Sequence, residues 1–381
     1  MAANQEKRSE AAAWVDGASA SPEDAAAAAA KILAASRQPL IAGLGVDVEG
    51  ARAAVALAER VGGVLDHMHS AALFRDLDSL REAGVMVTTP DEARVRADLV
   101  LLVGDGLPEA WPAVAERLLK PPARPHGEDV ARRIIWLAPN SKAKIPGFGG
   151  AIEIFADGSG AGLAVNLAAL RALVKGHPLA GVELRTGALE AIAAALRAAK
   201  FGVAVWTATR LDALEIEMLN GLVRDLNETT RFSTLPIAPP DNGSGVLSTC
   251  GWMTGFPIRT GFGSGWPTHD PWRFDAERLV ASKETDCVLW ISAIGASPPP
   301  RAWGAPAIAL CGRSTRLGAS PKVRIEIGRP GVDHDAILHC QDAGTLVRVA
   351  ATSPSGSVTP SAAQALASIA ARLPDAGVWA C

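Results

Sequence analysis

Cysteine is the residue whose scarcity says most about this chain of 381 residues. None occurs in the first 249 residues, and no two cysteines form a Cys-x-x-Cys pair. The five that occur are Cys250, Cys287, Cys311, Cys340 and Cys381. Soft metal centres depend on clustered thiolates, so their distribution argues against such a centre. Structural disulfides are rare in the cytosol, and we expect all five thiols to be reduced.

Long apolar segments and basic runs are also missing. No stretch approaches the roughly 18–20 apolar residues of a membrane helix, and the opening MAANQEKRSE is charged where a signal peptide would be apolar. The formal net charge is -3, and no long Lys/Arg run occurs. These features argue against nucleic acid and membranes as partners. We therefore expect a cytoplasmic protein that binds small molecules or other proteins.

What is present predicts an α/β fold. Hydrophobic residues make up 49% of the chain and charged residues 20%, as in globular proteins. Apolar runs of strand length alternate with helical stretches, which predicts parallel sheets. The predicted strands are 39–42, 64–66, 99–103, 134–137, 203–206, 287–291, 307–310 and 323–327. The predicted helices are 22–33, 48–61, 163–174, 188–199, 211–226 and 361–373.

The length and this alternation predict two Rossmann-like domains. Residues 1–21 are small and polar and predict a flexible tail. The first α/β domain is placed at 22–150 and the second at 151–381, with the boundary in the Pro/Gly-containing stretch 139–160. Residues 236–275 hold many Pro and Gly and predict an extended functional loop with at most one short helix.

Three short motifs have both a functional and a structural interpretation. Gly43-x-Gly45 follows a strand and opens a helix, where a phosphate could bind, but the third glycine of a dinucleotide fingerprint is replaced by Val48. His67 and His69 could chelate zinc at the end of a strand, or form a polar surface turn. The polar residues around the apolar stretch 336–338 have the same two interpretations. No motif predicts covalent catalysis, so we assign no catalytic or metal-binding residue.

Two larger features suggest binding surfaces. Between residues 301 and 329 the chain carries six basic residues and one acid, Glu326, which could attract an anion or form a solvated face. The candidates for binding an anion are Arg313, Arg316, Lys322 and Arg324. The loop 252–274 carries aromatic side chains that must pack on their own domain or against another subunit. The interface candidates are Trp252, Phe256, Phe262, Trp266 and Trp272.

Several segments carry a resemblance to a known family along the whole chain. They are Arg37-Gln38-Pro39-Leu40 with its glycine turn, residues 96–100 and 222–227, Thr254-Gly255-Phe256-Pro257, Gly265-x-Pro267 with Pro271, and Ile325-Glu326-Ile327 leading to Asp333-His334. The chain resembles the B subunit of tungsten and molybdenum formylmethanofuran dehydrogenases. More narrowly, it is similar to the B subunit of the bacterial formyltransferase/hydrolase complex.

The resemblance implies a truncated, molybdopterin oxidoreductase-like fold and a role in one-carbon metabolism. That bacterial family passes a formyl group from formyl-tetrahydromethanopterin to a methanofuran analogue and on to formate. The implied partners are an amidohydrolase-like hydrolase subunit, a formyltransferase subunit, a further small subunit and the methanofuran-type carrier. By analogy this carrier bears a glutamate chain, an anionic tether for which the four basic residues named above are the candidates. The redox family carries cysteines near its N-terminus and after its first strand, whereas 43–50 offers only Asp47 and Glu49. We therefore expect no cofactor, no metal centre and a non-catalytic structural role.

Two other functions stay open at the level of sequence. One is a catalytic tungsten or molybdenum subunit, an oxidoreductase, which predicts bound metal. The other is a nucleotide-binding α/β module built on Gly43-x-Gly45, which predicts thermal stabilisation by a nucleotide.

Overall fold

The computed structural model describes residues 13–122, 132–139, 144–156, 162–179, 185–295, 303–353 and 359–374. The chain divides into two compact units: unit 1 spans 1–70, 241–339 and 346–381, and unit 2 spans 71–240 and 340–345. The predicted boundary near residue 150 lies inside unit 2. Sequential domains at 22–150 and 151–381 are therefore the wrong division, because the first strands of unit 1 pair with strands that follow residue 286.

Both units alternate strands with helices, as predicted. The helices of unit 1 are α1 (Pro22–Ala35), α2 (Val48–Val61), α9 (Gly243–Thr254), α10 (Ala276–Ala281) and α11 (Ala362–Ala370). Those of unit 2 are α3 (Ser70–Ala83), which starts at the last residue of unit 1, α4 (Pro90–Arg96), α5 (Leu107–Ala110), α6 (Leu163–Val174), α7 (Thr186–Ala198) and α8 (Ala213–Leu226), with a π-helical turn at Ala115–Leu119. In the described part of the chain, no helix has the length and apolarity needed to cross a membrane.

Unit 1 contains a mixed sheet in the order β11-β10-β4-β3-β12-β13-β14-β1-β2. Its strands are β1 (Ala13–Val15), β2 (Ala18–Ala20), β3 (Pro39–Gly45), β4 (Val64–Leu65), β10 (Thr260–Gly261), β11 (Thr268–His269), β12 (Cys287–Ser292), β13 (Ala307–Cys311) and β14 (Val323–Glu326). The five central strands, β4, β3, β12, β13 and β14, are parallel. Antiparallel pairs extend both edges. All five parallel strands therefore end at the same edge of the sheet.

Unit 2 contains a fully parallel sheet in the order β7-β6-β5-β8-β9. Its strands are β5 (Leu99–Val103), β6 (Arg133–Leu137), β7 (Glu153–Phe155), β8 (Phe201–Thr207) and β9 (Arg231–Ile237). Leu101 of β5 packs in one apolar cluster with α6, α7 and α8, and Leu102 packs in the other with α4 and Trp111. The strands are apolar throughout because helices cover both faces. Two further strands, β15 (Ala336–Cys340) and β16 (Thr345–Val349), pair with each other.

Two other predictions about the chain are corrected. Residues 13–20 form the β1 and β2 hairpin rather than part of a flexible tail, and β1 pairs with β14; residues 1–12 lie outside the described part. The segment 236–275 was predicted to be an extended loop with room for one short helix. It contains one helix, α9, which is 12 residues long, and the strands β10 and β11, so it is not an extended loop. The sequence pattern did not predict this helix because Gly243, Gly245 and Gly251 lower its helix propensity. Tertiary contacts can still stabilise a helix of low propensity.

Candidate functional site

The carboxyl ends of the five parallel strands of unit 1 form the edge where open α/β sheets bind ligands. The sequence segments that leave this edge follow β3, β4, β12, β13 and β14. They contain most of the motifs singled out from the sequence.

The glycine turn at the end of β3 serves the backbone and helix packing. Gly43 has a φ of +81°, and a Cβ there would lie 2.6 Å from the carbonyl oxygen of Ile291. The buried Asp47 side chain accepts the Gly50 N–H at 3.0 Å and caps α2, and burial raises the pKa of this carboxyl. A Cβ on Gly50 would lie 2.8 Å from Cβ of Val46 and 3.2 Å from Cβ of Ala362. The helix start where a phosphate would bind is thus occupied by the chain's own carboxylate.

His67 and His69 bind Asp241 rather than presenting a chelating pair. The backbone N–H of His69 donates to Nδ1 of His67 at 3.0 Å, so the proton of His67 lies on Nε2, which faces the Asp241 carbonyl at 3.3 Å. His69 Nε2 lies 2.9 Å from the Asp241 carboxylate. Burial, followed by the neighbouring His69, lowers the pKa of His67 to about 4. Both nitrogens of His67 are used internally, so this ring is unavailable as a metal ligand.

Asp241 and Asn242 hold the start of α9 in a strained conformation. Both residues have positive φ, +56° and +60°. The Asn242 side chain donates to the carbonyl of Val46 at 2.7 Å and accepts the N–H of His339 at 2.8 Å. Sequence reasoning missed these two residues because Asp241 lies 174 positions from His67. The signal that could have found them is Asp-Asn-Gly, residue types that tolerate left-handed backbone.

Asp66 and Arg259 form a buried ion pair beside the histidines. The Asp66 carboxyl accepts the backbone N–H groups of His67 and Ala276, both at 2.9 Å, and lies 3.5 Å from Nε of Arg259. Burial raises the pKa of Asp66 to about 7, although the positive charge of Arg259 opposes the shift. Arg259 also donates to the carbonyl of Pro271 and to Oγ of Ser70. The pair therefore links the end of β4 to the segment that carries the aromatic side chains.

The described cysteines do not fit the thiolate-held tungsten, molybdenum or iron–sulfur centres of the redox family. Burial raises the pKa of Cys250 and of Cys287 to about 12, and it also raises the pKa of Cys311. A soft metal requires the deprotonated thiolate. Among the described residues, no group of three or more His, Cys, Asp or Glu side chains is arranged to hold a metal ion. Neither the pair at 67 and 69 nor the polar residues at 333–340 form such a group.

A pocket of about 720 Å³ opens at the carboxyl ends of β12, β13 and β14. The nearly buried Glu326 lies in its wall, 3.9 Å from Arg324, and Arg313 and Arg329 supply positive charge. Asp333 accepts the backbone N–H of Arg329 at 2.6 Å. The pocket is lined by residues 293–295, 312–315, 326, 327, 329, 332, 333 and 359.

The tether candidates do not form one basic patch. Arg313 follows the carboxyl end of β13, whereas Lys322 precedes the amino end of β14 and pairs with Asp16 at 2.9 Å. The two lie at opposite edges of the sheet because β13 and β14 are parallel. Arg324 stacks over Trp14 at 5.1 Å, and Arg316 is exposed in the connection between the strands. Arg301 lies outside the described residues.

Four of the five interface candidates are exposed. Trp252, Trp266 and Trp272 expose 65%, 66% and 71% of their surface, and Phe256 exposes 39%. Phe262 is 4% exposed, so it packs inside unit 1 and is wrong as an interface residue. Phe256 stacks on His269, and Arg278 lies over Trp272 at 4.4 Å. We call Trp252, Phe256, Trp266 and Trp272 the aromatic surface residues. Met253, next to Trp252, is 44% exposed.

No family model matches this chain, but known proteins are similar to it in sequence and fold. It is 36% identical over 367 residues to the B subunit of the formyltransferase/hydrolase complex of Methylorubrum extorquens, covering 96% of this chain and 97% of the relative. It is 29% identical over 250 residues to the B subunit of tungsten-containing formylmethanofuran dehydrogenase 2 of Methanocaldococcus jannaschii, covering 62% of this chain and 56% of that protein. The crystal structure of the Methylorubrum extorquens complex with methylofuran matches with a TM-score of 0.84 and 35% identity, covering 94% of this chain and 98% of the matched one. The resemblance stated from the sequence is confirmed, and this chain belongs to the B-subunit family of formyltransferase/hydrolase complexes.

Proposed function

We propose that this chain is the non-catalytic, structural B subunit of a cytoplasmic formyltransferase/hydrolase complex. In this complex, partner subunits move a formyl group from formyl-tetrahydromethanopterin to a methanofuran analogue and release it as formate. The proposed partners are an amidohydrolase-like hydrolase subunit, a formyltransferase subunit and a further small subunit. Identity to the Methylorubrum extorquens protein along nearly the whole length of both chains supports the assignment.

The aromatic surface residues carry the proposal. Three tryptophans that each expose about two-thirds of their surface occur within 21 positions of one segment, together with Met253 and Phe256. Exposed apolar side chains that gather in one patch mark interaction sites on soluble proteins, and Trp is enriched among residues that dominate binding energy. Such a segment supports a subunit that acts by contacting other proteins.

The chemistry at the carboxyl edge of unit 1 supports a structural role. Burial raises the pKa of the Cys250 and Cys287 thiols to about 12, which disfavours their thiolates. His67 uses both ring nitrogens in internal hydrogen bonds, and Asp47 caps a helix. These groups are engaged in holding the fold. We accordingly propose a molybdopterin oxidoreductase-like, truncated fold that works without a metal centre or pterin cofactor of its own.

A narrower part of the proposal concerns the carrier. The resemblance implies a carrier with a glutamate chain. The pocket at the ends of β12 to β14 contains Arg313 and Arg329 beside two acids, Glu326 and Asp333, of which Glu326 lies 3.9 Å from Arg324. We propose that Arg313 and Arg329 guide the anionic chain between the partners' active sites. Lys322 has no part in this role because it lies at the opposite edge of the sheet, paired with Asp16.

The decisive experiment reconstitutes the partner subunits with and without this chain. We expect formate release from the formylated carrier to require the chain, and the isolated chain to transfer no electrons from formylmethanofuran to a viologen dye. Activity of the partners alone at the full rate would contradict the architectural role. For the carrier, Arg313→Ala with Arg329→Ala should raise KM for the polyglutamylated carrier, while Lys322→Ala should not; equal KM values would contradict the tether.

A further inference from the structure

Arg259 lies at the base of the hairpin that β10 and β11 form at the edge of the unit 1 sheet. Its backbone N–H donates to the carbonyl of Leu65 at 2.9 Å, which joins the hairpin to β4. Its own carbonyl oxygen lies 2.9 Å from Nδ1 of His269 and accepts the N–H of Asp270 at 3.3 Å. The backbone of Arg259 therefore closes the hairpin, and Trp266 lies in the hairpin loop.

The side chain of Arg259 holds the turn that follows this hairpin. Its guanidinium donates to the carbonyl of Pro271 at 2.7 Å and to Oγ of Ser70 at 3.0 Å. It pairs with the carboxylate of Asp275 and lies 3.5 Å from that of Asp66, and only 12% of the arginine side chain is exposed. A planar guanidinium can serve several acceptors at fixed angles, which a lysine ammonium cannot do. One side chain thus connects the end of β4, the start of α3 and the turn after β11.

Three of the four aromatic surface residues belong to the part of the chain that Arg259 holds. Trp266 lies in the hairpin loop, and Trp272 follows the residue whose carbonyl accepts from the guanidinium. Phe256 stacks on the last residue of β11, with the ring centroids 6.1 Å apart. Trp252 lies on α9 instead. The contacts of Arg259 therefore bear on some aromatic surface residues and not on all of them.

The backbone conformation of Arg259 shows that its side chain explains the residue type. Its φ is +59°, in the left-handed region that non-glycine residues adopt infrequently and at a cost in free energy. Glycine would adopt this conformation without a steric penalty. An arginine at such a position is therefore accounted for by the contacts of its guanidinium.

We propose that Arg259 is a positioning residue of the aromatic surface: its guanidinium holds the hairpin and the following turn in the conformation that binds a partner subunit. This inference rests on the proposed function, in which the aromatic surface residues contact partner subunits. A segment that is already ordered loses less conformational entropy when it binds, so fixing it raises the affinity. Arg259 acts through Trp266 and Trp272 and is itself nearly buried.

The test is a set of double-mutant cycles on the affinity of the full-length chain for the reconstituted partner subunits. Arg259→Lys keeps the positive charge between the two carboxylates but loses the planar fork, and it should weaken binding by roughly tenfold or more. In a chain that also carries Trp266→Ala and Trp272→Ala, the same change should weaken binding by less than about threefold, because the side chains that it positions are gone. In a chain with Trp252→Ala it should again cost roughly tenfold or more.

Two further variants separate positioning from a loss of stability. Arg171→Lys alters a comparable ion pair in unit 2, where Arg171 lies 2.8 Å from Asp225, and it should bind partners normally. Asp275→Asn preserves the cap of α10, because Asn caps helices as well as Asp does, but it removes a charge that fixes Arg259. It should weaken binding by about threefold or more. Thermal unfolding shows whether each variant is folded, and Asp275→Asn carries the test if Arg259→Lys is not.

The outcomes distinguish failure of the inference from failure of the proposed function. Normal binding by folded Arg259→Lys, together with weak binding by the tryptophan variants, would overturn the positioning role and leave the interface intact. An equal loss in all three backgrounds would assign Arg259 to general stability and would also overturn it. Normal binding by every variant, the tryptophan variants included, would overturn both the inference and the interface on which it rests.

Discussion

Replacing an exposed tryptophan should weaken assembly far more than it changes folding. A buried Trp removes up to ~250 Å² from water, so covering the 65% of Trp252 that is exposed would bury roughly 160 Å². At ~25 cal/mol per Å² this burial is worth at most ~4 kcal/mol. Ordering and incomplete coverage offset part of this value. We therefore expect Trp252→Ala to cost ~2–4 kcal/mol, a weakening of the affinity by ~30-fold to ~1000-fold.

The assay measures binding of each variant to the reconstituted partner subunits by biolayer interferometry. Trp266→Ala should behave like Trp252→Ala, whereas Trp272→Ala also removes the contact with Arg278 and is a less clean probe. Leu214→Ala, with a side chain 53% exposed on unit 2, is the matched control and should bind normally. If Trp252→Ala and Trp266→Ala both bind within threefold of the unaltered chain, the aromatic surface is not an interface and the reasoning fails.

Three further predictions concern the interior. The pKa of His67 is lowered from 6.5 to about 4, so the stability that this residue contributes is full above pH 6.5 and is lost as the pH falls through 4. The loss amounts to about 3 kcal/mol of the free energy of unfolding. In urea titrations His67→Asn should abolish it, whereas His177→Asn, at an exposed histidine, should not. Asp76 accepts the indole N–H of Trp206, and burial raises the pKa of its carboxyl from 3.8 to about 6. The stability that this residue contributes is therefore full below pH 3.8 and is lost as the pH rises through 6. Asp76→Asn should remove that loss, and an unchanged pH profile of the unfolding free energy would contradict the burial argument. Gly50→Ala should destabilise the chain by about 1–3 kcal/mol, because the added Cβ would meet Val46 and Ala362. Gly251→Ala is the control: its Cβ would meet no neighbouring atom within 4 Å, and it should stabilise α9 by about 0.5–1 kcal/mol. A rise in the melting temperature of the unaltered chain on adding a nucleotide would contradict the structural interpretation of the glycine turn and favour a phosphate site near Gly43.

Local patterns specified the secondary structure well. The strand at Leu99–Val103 and the helix at Val48–Val61 were predictable because uninterrupted apolar runs and amphipathic spacing are properties of short segments. Ser21 caps α1 by accepting the N–H of Asp24, and a Ser followed by Pro and two acidic residues is a common helix start. The division into units was not predictable, because pairing of β3 with β12 depends on contacts between residues almost 250 positions apart.

The candidate site was predictable only in its parts. His67 and His69 were visible as a pair, but their partner Asp241 arrives from a distant segment and converts a potential metal site into a structural network. Five of the six basic residues between 301 and 329 are described, and strand direction separates Arg313 from Lys322 in a way that sequence proximity conceals. Phe262 and Trp266 belong to the same loop, yet one is buried and one exposed, which depends on tertiary packing alone.

The central claim is that this family member works as a structural subunit without redox metal chemistry. Elemental analysis and electron paramagnetic resonance of the complex, isolated without oxygen from its native host, test it directly. We predict formate-releasing activity in a preparation in which tungsten, molybdenum and iron are far below one atom per copy of this chain. Stoichiometric tungsten or molybdenum bound to this chain, or an iron–sulfur signal from it, would contradict the account.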